Sequence, residues 1–91
     1  MIVFPEPWEQ VAADNNLLAV LQTELGPGHI LYGKDLVAIA RRGDNDDVLF
    51  ELKGGEFRYA IVHLTWAGRP EPDPRWPGTR LSNDLSAAFL D

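Results

Sequence analysis

Asp47-Val-Leu-Phe-Glu-Leu-Lys53-Gly54-Gly55-Glu56-Phe-Arg-Tyr-Ala-Ile-Val-His63 holds the clearest fold signal in the chain. Two runs rich in β-branched and aromatic residues flank a Gly-Gly dipeptide, which reaches positive φ at no steric cost, so the segment reads as a β-hairpin with a two-residue primed turn. That turn sets Lys53 opposite Glu56. It also sets Glu51 opposite Arg58, Leu52 opposite Phe57, Phe50 opposite Tyr59 and Val48 opposite Ile61. Unlike charges meet, and apolar residues meet apolar ones.

Upstream, residues 36–42 form a third apolar run, and closing a hairpin at 43–46 pairs Val37 with Leu52, Ile39 with Phe50 and Arg42 with Asp47. Together, 36–42, 47–53 and 56–66 predict a three-stranded antiparallel meander. One face carries Val37, Ile39, Val48, Phe50, Leu52, Phe57, Tyr59 and Ile61. The other carries Ala38, Ala40, Leu49, Ala60, Val62 and Leu64, and needs a cover of its own.

The helical spacing of Trp8, Val11, Leu18, Leu21 and Leu25 predicts a helix within residues 8–25, packed on the first face. Asp14-Asn15-Asn16 interrupts it with cap-forming residues, so a fresh start near Asn15 fits. Gly26-Pro27-Gly28 ends it. Residues 1–4 are an edge strand or a packed terminus. The third strand outruns its partner and invites a fourth, for which residues 1–4 are a candidate, or a dimer contact. A Pro-rich crossover at 69–78 and a short C-terminal helix at 84–90 complete a single α+β domain over residues 1–91.

Ninety-one residues with 45% hydrophobic side chains are enough for one modest core, and too apolar for a disordered chain. Eight basic against fourteen acidic residues give a net charge of −6, which repels a phosphate backbone and argues against nucleic acid as partner. With no cysteine, neither disulfides nor thiolate metal sites are available. Residues 1–8 read neither as a signal peptide nor as a membrane span, so the expectation is a cytoplasmic protein with no membrane partner.

His63, near the end of the third strand, suits a general base or a metal ligand, because its unperturbed pKa lies near 6.5. A partly buried histidine bonded to backbone is the plainer reading. His29, in a Gly-rich loop, could meet it beside Asp46, Asp47, Glu71 or Asp73, but no metal-ligand spacing is present and no metal or cofactor is expected. Asp46-Asp47 with Glu51-Leu-Lys53 matches a nuclease pattern in part, yet Glu51 and Lys53 have charge partners across the strands. Trp66, Arg69, Glu71, Arg75 and Trp76 alternate with prolines in a stiff loop of the kind that serves recognition; its alternative is to wrap over the second sheet face and bury the tryptophans.

Gly28-His29-Ile-Leu-Tyr-Gly33, Ala38-Ile-Ala-Arg41, Asp46-Asp-Val-Leu-Phe50, Tyr59-Ala-Ile-Val-His-Leu-Thr-Trp66, Glu71 and Trp76-Pro77 together resemble a group of short bacterial proteins. That group carries a His-Leu-Thr-Trp strand followed by a Glu and Trp-Pro loop. The resemblance covers roughly residues 25–77 and implies a shared fold without supplying catalytic residues. The functional expectation is a small acidic interaction protein, immunity- or inhibitor-like, with a protein partner or a second copy of itself. The alternative is a small hydrolase or ligand-binding domain centred on His63 and nearby carboxylates, so whether the chain is an enzyme stays open.

Overall fold

The structure is a computed structural model that describes residues 4–12 and 15–84. Its elements are β1 (Trp8–Gln10), α1 (Leu17–Glu24), β2 (Leu36–Arg42), β3 (Asp47–Leu52), β4 (Tyr59–His63) and β5 (Gly78–Ser82). The five strands make one antiparallel sheet in chain order, β1-β2-β3-β4-β5. This corrects the expected fold of an N-terminal helix on a three-stranded meander. Trp8, expected on a helix, lies in strand β1 and pairs with Arg42, and the helix begins only at Leu17. The end of the expected Pro-rich crossover is strand β5, which pairs with β4 from Tyr59↔Ser82 to His63↔Gly78. β5 therefore takes the fourth-strand place beside β4. Residues 1–3 and nearly all of the expected C-terminal helix lie outside the described residues.

The helix start follows from the interrupting polar residues. Asn15 Oδ1 accepts the Leu17 N–H at 2.9 Å, closing an Asx turn that feeds the chain into the helix. At the other end the chain leaves α1 in extended conformation at Leu25, and Gly26 packs so tightly that a Cβ there would lie 2.9 Å from the Glu71 carbonyl oxygen. That contact ties the Pro-rich loop to the helix end, and the Glu71 N–H donates to the Glu24 carbonyl at 2.9 Å beside it.

The hairpin between β3 and β4 exists, but its register is one residue away from the expected one. Phe50 pairs with Ala60, Leu49 with Ile61, Val48 with Val62 and Asp47 with His63. The Leu52 N–H donates to the Arg58 carbonyl at 2.7 Å, which makes residues 53–57 the loop in place of a two-residue turn. Gly54 and Gly55 still take positive φ, 78° and 100°. Since side chains alternate with period two, this slip turns the whole of β4 over. The expected pairing would have set the Tyr59 hydroxyl and His63 imidazole under the helix, where burial without partners is costly. The observed one sets Ala60, Val62 and Leu64 there. The charge pairs change too: Lys53 bridges Glu51 at 3.1 Å, and the Arg58 guanidinium lies 5.4 Å from the centre of the Tyr59 ring.

Between β2 and β3 the expected register holds only near the turn, where Arg41 faces Val48 and Ala40 faces Leu49. An irregularity at Ile39 then shifts it, so that Ala38 faces Phe50 and Leu36 faces Leu52. Such a bulge sharpens the local bend and twist of the strand.

Two apolar clusters result, one on each face. Beneath the helix, Leu17, Leu21, Leu25 and Leu31 pack with Leu36, Val48, Phe50, Ala60, Val62 and Leu64. Each large side chain hidden there contributes roughly 1.5–3 kcal/mol. On the opposite face Trp8, Ala40, Leu49, Tyr59 and Ile61 form a smaller cluster, with Phe4 and Ile39 against it. The Ala60, Val62 and Leu64 surface thus belongs to the main core and has the helix as its cover.

Candidate functional site

Trp8, Arg42, Asp47, Ile61, His63, Gly78, Thr79 and Arg80 line one cavity of about 250 Å³. All five strands contribute. In a flat sheet β1 and β5 would lie about 19 Å apart, four strand spacings of ~4.8 Å. Trp8 and Arg80 nevertheless line one cavity on the face opposite the helix, an approach that ordinary sheet twist, the bulge at Ile39 and the length of both side chains favour. Ladder pairing gives the arrangement its logic, since directly opposite residues share a face: Trp8 with Arg42, Asp47 with His63, His63 with Gly78, and Ile61 with Arg80.

His63 and Asp47 form the polar centre. The imidazole Nδ1 lies 2.8 Å from Asp47 Oδ1, and the side chains are 55% and 21% exposed, so the pair is open to solvent. A carboxylate can only accept, which places a proton on Nδ1 and leaves Nε2 to accept a proton or, once protonated, to donate. Arg42 is held in a fork by Asp44, with both bonds at 2.9 Å. The Arg42 hydrogen bond holds the Asp44 carboxyl below its usual value. The adjoining turn is closed by the Asp47 N–H donating to Asn45 Oδ1 at 2.8 Å, which fixes the backbone from which Asp47 projects. The cavity thus sets Arg42, paired with Asp44, and Arg80 beside the His63–Asp47 pair.

His29 does not join this site. It is buried on the helix side of the sheet, where Nδ1 accepts the Leu31 N–H at 3.0 Å and Nε2 lies 2.8 Å from the Pro77 carbonyl oxygen. The ring proton therefore sits on Nε2, and His29 fastens the entry of β5 to the loop after the helix. Thr79 Oγ1 donates to the same Pro77 carbonyl at 3.0 Å. Among the described residues no group of three His, Cys, Asp or Glu side chains could hold a metal ion.

The loop residues expected to bind are divided by the structure. Glu71 is part of a fastening: Thr65 Oγ1 donates to Glu71 Oε1 at 3.0 Å. Next to it the fully buried Glu24 carboxylate accepts the Thr65 and Trp66 N–H groups, each at 2.9 Å. Trp66 is held with φ 58°, a left-handed conformation unusual for a bulky residue, and its ring is half exposed. Trp76 is half exposed as well, so the loop does not bury its tryptophans. Arg69 is exposed, and Arg75 forks onto Asp73, whose carboxyl is drawn down to about 2 by the Arg75 side-chain hydrogen bond and then the Arg75 backbone N–H. Of the expected binding residues only His63 lines the cavity.

Trp8, Arg42 and Arg80 were not expected there. Arg42 and Asp47 were already paired in the sequence reading, which was a usable signal. Trp8 and Arg80 come from strands that sequence pattern did not mark. No helix among the described residues is long and apolar enough to cross a membrane. No family model matches the chain, and neither the curated proteins nor the solved structures contain a significant match.

Proposed function

We propose that this domain binds a small anionic molecule in the cavity lined by Arg42, Asp47, His63 and Arg80. The observation that carries the reading is the hydrogen-bonded His63–Asp47 pair in the same cavity as two guanidinium side chains. Asp47 orients the imidazole, and Arg80, with Arg42 in its fork with Asp44, supplies guanidinium groups that an anion can contact. The only hydroxyl among the lining residues belongs to Thr79, and it donates to the Pro77 carbonyl. Isothermal titration with inorganic phosphate tests the reading. Arg80→Gln, at an exposed position, should weaken binding about tenfold, the loss of one charge-assisted hydrogen bond at ~1.5 kcal/mol. Equal affinity of the variant and the parent would count against the site.

A second reading is favoured by one observation: a buried carboxylate holds the half-exposed Trp66 in a strained conformation beside a groove lined by Asn16, Ala19, Val20 and Thr23. Strain maintained at an exposed aromatic supports a contact with another protein, or with a second copy of the chain, in the cytoplasm. Light scattering of the parent and of Trp66→Ala checks self-association, and a monomer mass for the parent at high concentration removes the second copy as partner.

A further inference from the structure

We propose that the anion taken by this cavity carries a hydroxyl of its own, hydrogen phosphate being the simplest such ion, because the His63–Asp47 pair offers it acceptors only; the inference rests on the anion-site reading above. Asp47 Oδ1 lies 2.8 Å from His63 Nδ1 and holds the ring proton on that nitrogen. Two acceptor atoms are left over, His63 Nε2 and the second carboxylate oxygen of Asp47. Among the described residues neither has a hydrogen-bond partner. Thr79, which has the one hydroxyl among the lining residues, already donates to the Pro77 carbonyl at 3.0 Å and brings them no proton. Water therefore supplies their donors in the empty cavity. A ligand that displaces this water without replacing its hydrogen bonds loses affinity.

The lining groups thus make two opposite demands. The Arg42 and Arg80 guanidinium groups can only donate, so the ligand must bring lone pairs to them. The His63–Asp47 pair can only accept, so the same ligand must also bring a proton. A fully deprotonated oxyanion meets the first demand and fails the second. Sulfate would set its oxygens against the Nε2 lone pair and the Asp47 carboxylate, unless His63 took up a second proton. Hydrogen phosphate meets both, with its bare oxygens toward the guanidinium groups and its P–O–H toward the pair. The position directly opposite His63 on β5 is Gly78, which has no side chain to supply the donor in the ligand's place.

At about pH 8.5, above the range in which imidazoles and phosphate monoanions titrate, hydrogen phosphate and sulfate are both tetrahedral dianions and differ by a single proton. Titrated separately into the whole chain by calorimetry, hydrogen phosphate should bind about tenfold more tightly than sulfate, the ratio that one hydrogen bond of ~1.4 kcal/mol produces. Methyl phosphate, a dianion without a hydroxyl at that pH, should behave like sulfate. Asp47→Ala frees Nδ1 and lets the ring present its proton on Nε2, which should bring hydrogen phosphate and sulfate to within about twofold of each other. Arg80→Gln should weaken both and keep their ratio. The nitrogen resonances of the His63 ring need no variant, and in the free parent they should show the proton on Nδ1. Equal or tighter binding of sulfate by the parent, an unchanged ratio in Asp47→Ala, or a ring proton on Nε2 would overturn the hydroxyl requirement and leave the anion site standing. If neither anion binds, the anion site fails and the requirement with it.

Discussion

At the scale of single residues, two buried polar side chains hold the loops around the sheet. Glu24 has no exposed surface and, among the described residues, no basic partner; its carboxylate is satisfied by the N–H groups of Thr65 and Trp66. Glu24→Ala leaves both donors without an acceptor and should lower unfolding free energy by about 3 kcal/mol in urea titration, with Glu24→Gln, which keeps one acceptor oxygen, near half of that. His29→Ala should cost about 2 kcal/mol by the same measurement, because the Leu31 N–H and the Pro77 carbonyl each lose a partner. Asp73 allows a pH prediction. Its carboxyl titrates at about 2 in the folded chain and near the usual ~3.9 when unfolded, so its contribution is complete above ~4 and disappears as pH falls through 2. Carboxyl resonances followed by NMR between pH 5 and 1.5 would check the value; a midpoint near 3.9 would show that the Arg75 fork does not form.

The fastening residues include several of the distinctive motif positions of the sequence. Thr65, Glu71 and Pro77 are bonded into the loop architecture, and His29 closes on Pro77. His63, Trp66 and Trp76, with Ile30 and Tyr32, are members of the same set whose side chains remain open to solvent. The sequence could mark all of them as distinctive. It could not sort anchors from exposed groups, because the sorting depends on which loop packs against the helix end.

At the scale of elements, the existence of the hairpins was legible and their register was not. Alternation and turn residues mark β2, β3 and β4, whereas the pairing depends on what the helix needs beneath it: Ala60 opposite Phe50, with Val62 and Leu64 alongside. The Gly-Gly dipeptide permits a tight turn without imposing one. The register is testable by truncation. Leu64 is 1% exposed and packed in the main core, so Leu64→Ala should cost about 2–4 kcal/mol. Phe57, in the 53–57 loop and only partly buried, should cost less than about 1.5 kcal/mol when truncated. The reverse order would favour the two-residue turn. β1 and β5 carried no periodic signal, since Trp-Glu-Gln is three residues long and Gly-Thr-Arg-Leu-Ser has a single large apolar side chain. Their strand character comes from ladder pairing with β2 and β4, and propensity alone does not reveal it.

At the scale of the whole molecule, the cavity draws on every strand of the sheet. Trp8 in the first strand and Arg80 in the last meet across a face on which three strands lie between them. Sequence reading found His63 and its possible carboxylate neighbours, because those residues sit on adjacent strands. It had no route to Arg80 or Trp8, whose approach sheet twist and the bulge at Ile39 favour.

The convergence of Trp8, His63 and Arg80 into one anion site is the claim on which the rest depends, and a chemical-shift map of side-chain nitrogen resonances during phosphate titration tests it most directly. The account predicts saturable, concerted shifts of the Trp8 indole, the His63 ring and the Arg80 guanidinium, with a common midpoint. Shifts confined to other residues, or different midpoints for these three groups, would contradict it.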